Sequence, residues 1–192
     1  MTAAVRLDPR VARSRQAVLS AAAELLAELG FGRVTIEAVA TRSGVARTTI
    51  YRHWPDLHHL LAEALESVMD PCLDPDTGTL RGDLTVVLTG LARTLTTSAT
   101  AGVLTSMIDA AERDTDIAEL QRSFSQDRRK ATRVAIERAV DRGEIAQDID
   151  VHVEAALIAG PLFYRRMVSR EPLSDAFVAK IVAITCDRLG AV

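Results

Sequence analysis

An all-α fold of about nine helices is predicted by three features of the sequence. Apolar residues recur at helical spacing, as in Val18, Ala21, Ala22, Leu25 and Leu29. No stretch of any strength alternates apolar and polar residues like a strand, and no hairpin dipeptide appears. The strongest breakers (Gly30, Gly44, Pro55, the prolines and glycine of 70–78, Gly143 and Pro172) fall between the periodic segments. With 48% hydrophobic residues the chain of 192 can bury a substantial core.

The elements follow in order. After an arm at 1–7, Asp8 and Pro9 supply an N-cap and a first helical position, and the helix stops at Gly30. Thr35 caps a short helix over 36–42, ended by Gly44, and a third runs over 46–53. Pro55 and Asp56 break the chain before a fourth helix reaching residue 69. The stretch DPCLDPDTG, residues 70–78, reads as a linker. Helices are then predicted over 80–98, 101–113, 116–142, 150–169 and 174–189.

The formal charge is −3, yet residues 1–60 carry eight arginines against five carboxylates. A basic head on an acidic body points to an anionic partner for the head alone and excludes a protein that coats nucleic acid indiscriminately. Cys72 and Cys186 stand far apart in no metal-like spacing, as expected of reduced thiols. No signal peptide is read, and the longest apolar run, 155–164, is far short of the ~20 residues of a membrane span. A soluble, cytoplasmic chain with no membrane partner is expected.

The helices at 36–42 and 46–53, joined by Ser43-Gly44-Val45, have the proportions of a helix-turn-helix. Ala40, Val45 and Ile50 hold the pair together, and Gly44 accepts a left-handed turn. This leaves the start of the third helix free to enter a major groove. Arg47 suits a guanine fork or a phosphate clamp. Thr48, Thr49 and Tyr51 suit phosphates, and the two threonine methyls can also meet a thymine methyl. Arg42, Arg52 and His53 add to the field, and Thr35 offers a hydroxyl and helix N–H groups to a phosphate.

The segment TIEAVATRSGVARTTIYRHWPDLHHLL, preceded by LLAELGFGRV, resembles the DNA-binding domain of TetR-type transcriptional regulators over residues 10–62. GPLFYRRMVSREPLSDAFVAKIV, residues 160–182, resembles part of a regulatory domain common in that family. The resemblance implies a head at 1–55 and a ligand-binding and dimerisation body at 56–192. It further implies a homodimer on a palindromic double-stranded operator, commonly a repressor released by a small molecule, here unknown. A shift of the fourth helix would then spoil the half-site spacing of about 34–36 Å. Carried over by position, Thr35, Arg47, Thr48, Thr49, Tyr51 and His53 match residues that usually touch DNA.

The helix at 150–169 is apolar on most sides, and the last helix is apolar over a wide arc. Such helices are either central core or bury one side in their own domain and the other in a second copy. Val153, Leu162, Val178 and Val182 are the candidate interface residues. Met107, Phe124, Phe163 and Tyr164 lie in helices that usually wall the family's cavity. Pro161 should kink its helix and free a carbonyl near Leu157, a further pocket candidate.

No nucleophile–base pair, phosphate loop or zinc spacing is found, so neither catalysis nor a cofactor is expected. His53, His58 and His59 read as helix surface, with no metal site expected. QDRRKATR, residues 126–133, reads as a solvated basic face. An alternative function is a dimeric ligand- or protein-binding module whose head has weakened or nonspecific DNA binding. It is motivated by one departure: the family's usual lysine after the proline is replaced by Leu57. Fewer phosphate contacts predict a shallower fall of log K with log salt than strongly basic repressors give, checked by titrating duplex DNA over a salt series.

Overall fold

The computed structural model describes residues 9–69 and 73–191 and, as predicted, is all-α. The arm, the Asp8 cap and residues 70–72 with Cys72 lie outside the described residues. The described residues form nine α-helices: α1 Pro9–Leu29, α2 Ile36–Ser43, α3 Arg47–His53, α4 Leu57–Val68, α5 Leu80–Thr96, α6 Ser98–Ala111, α7 Thr115–Asp141, α8 Val151–Phe163 and α9 Asp175–Leu189. They fall into two compact units, residues 1–69 with 102–121, and 70–101 with 122–192.

In the first unit α1 packs against α2, α3 and α4. Its inward stripe of Val18, Ala22, Leu25 and Leu26 meets Val39, Ile50, Leu60, Leu61 and Leu65, all buried. The local signals sit where the sequence places them. Thr35 Oγ1 accepts the Ala38 N–H at 3.1 Å, and Asp56 Oδ1 accepts that of His59 at 2.9 Å, so both helices begin on a satisfied cap. Gly44 closes α2 in the left-handed region at φ 68°, its N–H reaching the Ala40 carbonyl at 3.0 Å.

Gly30 ends α1 under two constraints. Its φ is 76°, and a Cβ there would stand 2.8 Å from Ser106 Cβ. The following Phe31 is buried, and its N–H donates to Ser106 Oγ at 3.3 Å. The second half of α6 therefore lies against the α1 turn, a contact between residues 75 apart in sequence.

In the second unit α5 packs on α8 and α9, which also pack on each other. Leu80, Leu84, Leu88 and Leu95 meet Ile158, Leu162, Val178 and Val182 in its core. A polar cluster ties the segment before α5 to the end of α7. Buried Asp83 accepts the Thr77 N–H at 2.7 Å and its hydroxyl at 2.8 Å, while its second oxygen faces Arg142 at 3.6 Å. Glu144, paired with Arg142, accepts the Leu80 N–H at 2.7 Å. Arg138 bonds the Pro75 carbonyl at 2.8 Å and Asp74 at 2.9 Å. The described part of the expected linker, 73–78, is thus non-helical but held down by α7.

Helix boundaries differ from the sequence reading in two places, the first being the helix expected over 101–113, which spans Ser98–Ala111. The helix expected over 150–169 stays α-helical through Pro161 to Phe163 and then widens into a π-helical turn, Tyr164–Val168. Its Ser169 N–H reaches the Tyr164 carbonyl at 3.0 Å. α4 packs on α1 and falls with it in the first compact unit.

Replacing Ile50 with Ala should cost about 2–5 kcal/mol, since it empties a fully buried site at the α1–α3 contact. Replacing exposed Tyr51 should change stability by no more than about 0.5 kcal/mol. Denaturant unfolding of the two variants checks the contrast.

Candidate nucleic-acid interface

α3 has only seven residues, too few to hold a helix by its own hydrogen bonds. Its inner face supplies the hold. Ile50 is fully buried, and Trp54, which ends the helix, is buried with its Nε1–H donating to Glu63 of α4 at 2.8 Å. Arg15 of α1 pairs with the same Glu63 and lies over the indole, 5.5 Å from the ring centroid. One side of α3 is thereby locked to α1 and α4. The opposite side presents Arg47, Thr48, Tyr51 and Arg52, all exposed, with Tyr51 at 53%. Ala46 at the N-cap offers no side-chain acceptor, so the first N–H groups of α3 are not capped from the side chain before it.

Two of the basic side chains are held by acids of neighbouring helices. Arg47 donates to Glu37 of α2 at 2.7 Å across the turn, although the pair is well exposed. Arg42 reaches back to α1 and makes a fork with Glu28 at 2.8 and 2.9 Å and a weaker contact with Glu24 at 3.3 Å. These hydrogen bonds hold the Glu37 and Glu28 carboxyls below the ordinary carboxylate range, so both are ionised at neutral pH. The Glu28 contact likewise raises the Arg42 guanidinium above its ordinary value.

The candidates therefore differ in setting. Thr35, Arg47, Thr48 and Tyr51 are exposed around the α2 start and the outer side of α3. Thr49 is half-buried. His53 is half-buried too, its ring edge-on to Trp54 at 5.6 Å, so it packs as much as it projects. Arg42 is the neutralised partner of two α1 carboxylates. Leu57 begins α4 beside Asp56, which the His59 N–H and then the His59 ring hold below its ordinary value. His58 faces Asp114 and Asp116, a grouping the sequence reading missed because the partners lie over fifty residues away.

Candidates outside the head are rearranged. Leu162, Val178 and Val182, expected at a subunit interface, are buried inside the second unit, where α5 covers them. Of that set only Val153 is exposed. Leu157 at 54%, Phe163 at 37% and Tyr164 at 63%, the cavity candidates, are exposed on the surface of the chain. Met107 is buried in the first unit and Phe124 is half-buried in the second. The outward residues Val153, Leu157, Tyr164 and Val168 recur at helical spacing opposite the buried Ala155, Ile158, Ala159 and Leu162. A cleft of about 350 Å³ in the second unit is lined by Gln126, Asp127, Arg129, Arg133, His152 and Ala155. None of the expected pocket residues lines it.

A short helix locked by its inner apolar side, following a left-handed glycine turn and presenting arginine, threonine and tyrosine outward, defines a helix-turn-helix DNA-binding head. Residues 18–64 match the family described as bacterial regulatory proteins, tetR family, and residues 74–185 match the tetracyclin repressor-like C-terminal domain. The uncharacterized HTH-type transcriptional regulator YdeS of Bacillus subtilis (strain 168) is 35% identical over 176 residues, 91% of this chain and 88% of its own. The DNA-binding transcriptional repressor TetR of Mycobacteroides abscessus is 28% identical over 86% of this chain and 88% of its own. Among solved structures, the TetR family transcription regulator SCO0332 superposes with a TM-score of 0.74 at 34% identity, over 94% of this chain and 99% of that one. The chain belongs to the TetR family of transcriptional regulators. Among the described residues no helix is long and apolar enough to cross a membrane.

Replacing Glu37 with Gln removes the carboxylate that holds Arg47 and one negative charge from the face that would meet phosphates. Duplex affinity should rise several-fold and fall more steeply with salt, as read by fluorescence anisotropy at two ionic strengths.

Proposed function

We propose that this regulator is a repressor that binds a palindromic operator as a homodimer and is released by a small-molecule effector. The observation that carries the reading is the two-sidedness of α3, with Ile50 and Trp54 buried and Arg47, Thr48, Tyr51 and Arg52 exposed. An amphipathic helix that only closed a core would not need a cation, a hydroxyl and a phenol together on its solvent side. Arg47 then reads a guanine edge or clamps a phosphate, exchanging Glu37 for DNA. Thr35, Thr48, Thr49 and Tyr51 bond the backbone, and His53 steadies the end of the helix. Arg42 contributes to the local field through a charge already shared with Glu24 and Glu28.

The dimer is supported by the outward apolar row of α8 and its π-helical turn, which no element of the same chain covers among the described residues, together with exposed Ile184 of α9. A row of this kind matched to its own copy gives an isologous contact in which each residue serves both protomers. Val153, Leu157, Tyr164 and Val168 are the residues assigned to it. The effector would bind in the C-terminal domain, as is typical of the family.

Electrophoretic titration of the DNA flanking its own gene tests the reading. Saturable binding of one dimer per palindrome is expected. An Arg47→Ala variant should lose about 1–3 kcal/mol, a five- to 150-fold weakening. A monomer at micromolar concentration in sedimentation, or salt-sensitive binding without sequence preference, would overturn the operator reading. The second result would favour the module with a weakened head.

A further inference from the structure

We propose that His58, Asp114 and Asp116 form a binding site for a divalent first-row transition metal of the Zn²⁺ class. His58 lies in the first turn of α4, while Asp114 and Asp116 belong to the turn entering α7, all within the first unit. One ligating atom from each residue lies within 4.8 Å of the others. His58 Nε2 is 3.9 Å from Asp114 Oδ2, and His58 Nδ1 is 3.8 Å from Asp116 Oδ2. These separations are too long for hydrogen bonds, and the ring makes none among the described residues.

The Asp114 carboxylate is held in place for a reason of its own. Asp114 Oδ1 accepts the N–H groups of Asp116 and Ile117 at 2.9 and 3.2 Å. That cap fixes the carboxylate at the start of α7 and leaves Oδ2 facing the imidazole. Ile117 is buried, which anchors the turn itself. Asp116 stands two residues on with its carboxylate on the same imidazole. Two like charges converging on one ring repel each other, and a cation between them relieves that repulsion. An imidazole gives one nitrogen to an ion, and ligand atoms on a tetrahedral Zn²⁺ stand about 3.3–3.5 Å apart, so the ring and the exposed Asp116 carboxylate swing together from separations of up to 4.8 Å to complete the contact. The mixed nitrogen and oxygen donors suit such an ion, while an all-oxygen preference makes Mg²⁺ a poor occupant. Three protein ligands leave a coordination position for water or an exogenous group. An ion here would fasten the beginning of α4 to the beginning of α7.

Calorimetric titration of the full chain with ZnCl₂ in a non-chelating buffer tests this site. One ion per chain is expected, with no matching heat from MgCl₂. His58→Ala should weaken binding by at least the roughly 10–100-fold that even outer-shell partners cost, and Asp114→Asn should do likewise. Asparagine preserves the α7 cap, so the second variant does not depend on a fold survived by chance. His59→Ala should leave the isotherm unchanged, since that ring is engaged with Asp56 at 2.8 Å. Absence of Zn²⁺ binding by the native chain, or an unchanged isotherm in His58→Ala, overturns the proposal.

Discussion

The head depends on the burial of Ile50 and Trp54. A helix of seven residues cannot exist in water on its own, so α3 is helical only because its inner side is packed. Trp54 adds direction to that packing. Its indole N–H is bonded to Glu63, and its ring lies beneath Arg15, so α1, α3 and α4 meet at one side chain. Everything α3 can present to solvent follows from this attachment, because the residues opposite a fixed inner face have a fixed direction.

Electrostatics then sets what the face offers. The head is basic in composition, but two of the cations around its outer face are not bare. Arg42 is committed to Glu24 and Glu28, and Arg47 to Glu37. Such exposed pairs add little to stability. On the proposed DNA-binding reading their consequence lies in binding, because a phosphate or base would displace a carboxylate that already holds the arginine. With Leu57 in place of a cation at the start of α4, the head has a modest reserve of free positive charge. In the second unit the same chemistry serves the fold, where buried Asp83 with Thr77 and Arg142 holds the approach to α5 against α7.

Much of the head was legible because its signals are local. Thr35 and Asp56 cap the helices they precede, and Gly44 adopts the left-handed turn its position requires. Ile50 pointing inward follows from helical spacing alone. The π-helical turn after Pro161 was less legible: proline announces a disturbance but not the form it takes. Which side of α8 and α9 faces inward was illegible for a related reason. The sequence of α8 and α9 shows apolar residues on both sides, and nothing in it says which side α5 covers. Leu162, Val178 and Val182 turn out to be inner, and Leu157 and Tyr164 outer.

The sequence by itself determined the helices, their caps and turns, and the helix-turn-helix with its outward Arg47, Thr48 and Tyr51, since all of these rest on interactions within a few residues. Only the tertiary structure decided which acids neutralise Arg42 and Arg47, which face of α8 is buried, and that His58 meets Asp114 and Asp116. Those are contacts between side chains brought together by packing. No spacing rule along a chain encodes them, because their separation in sequence is set by how the helices fold back on one another.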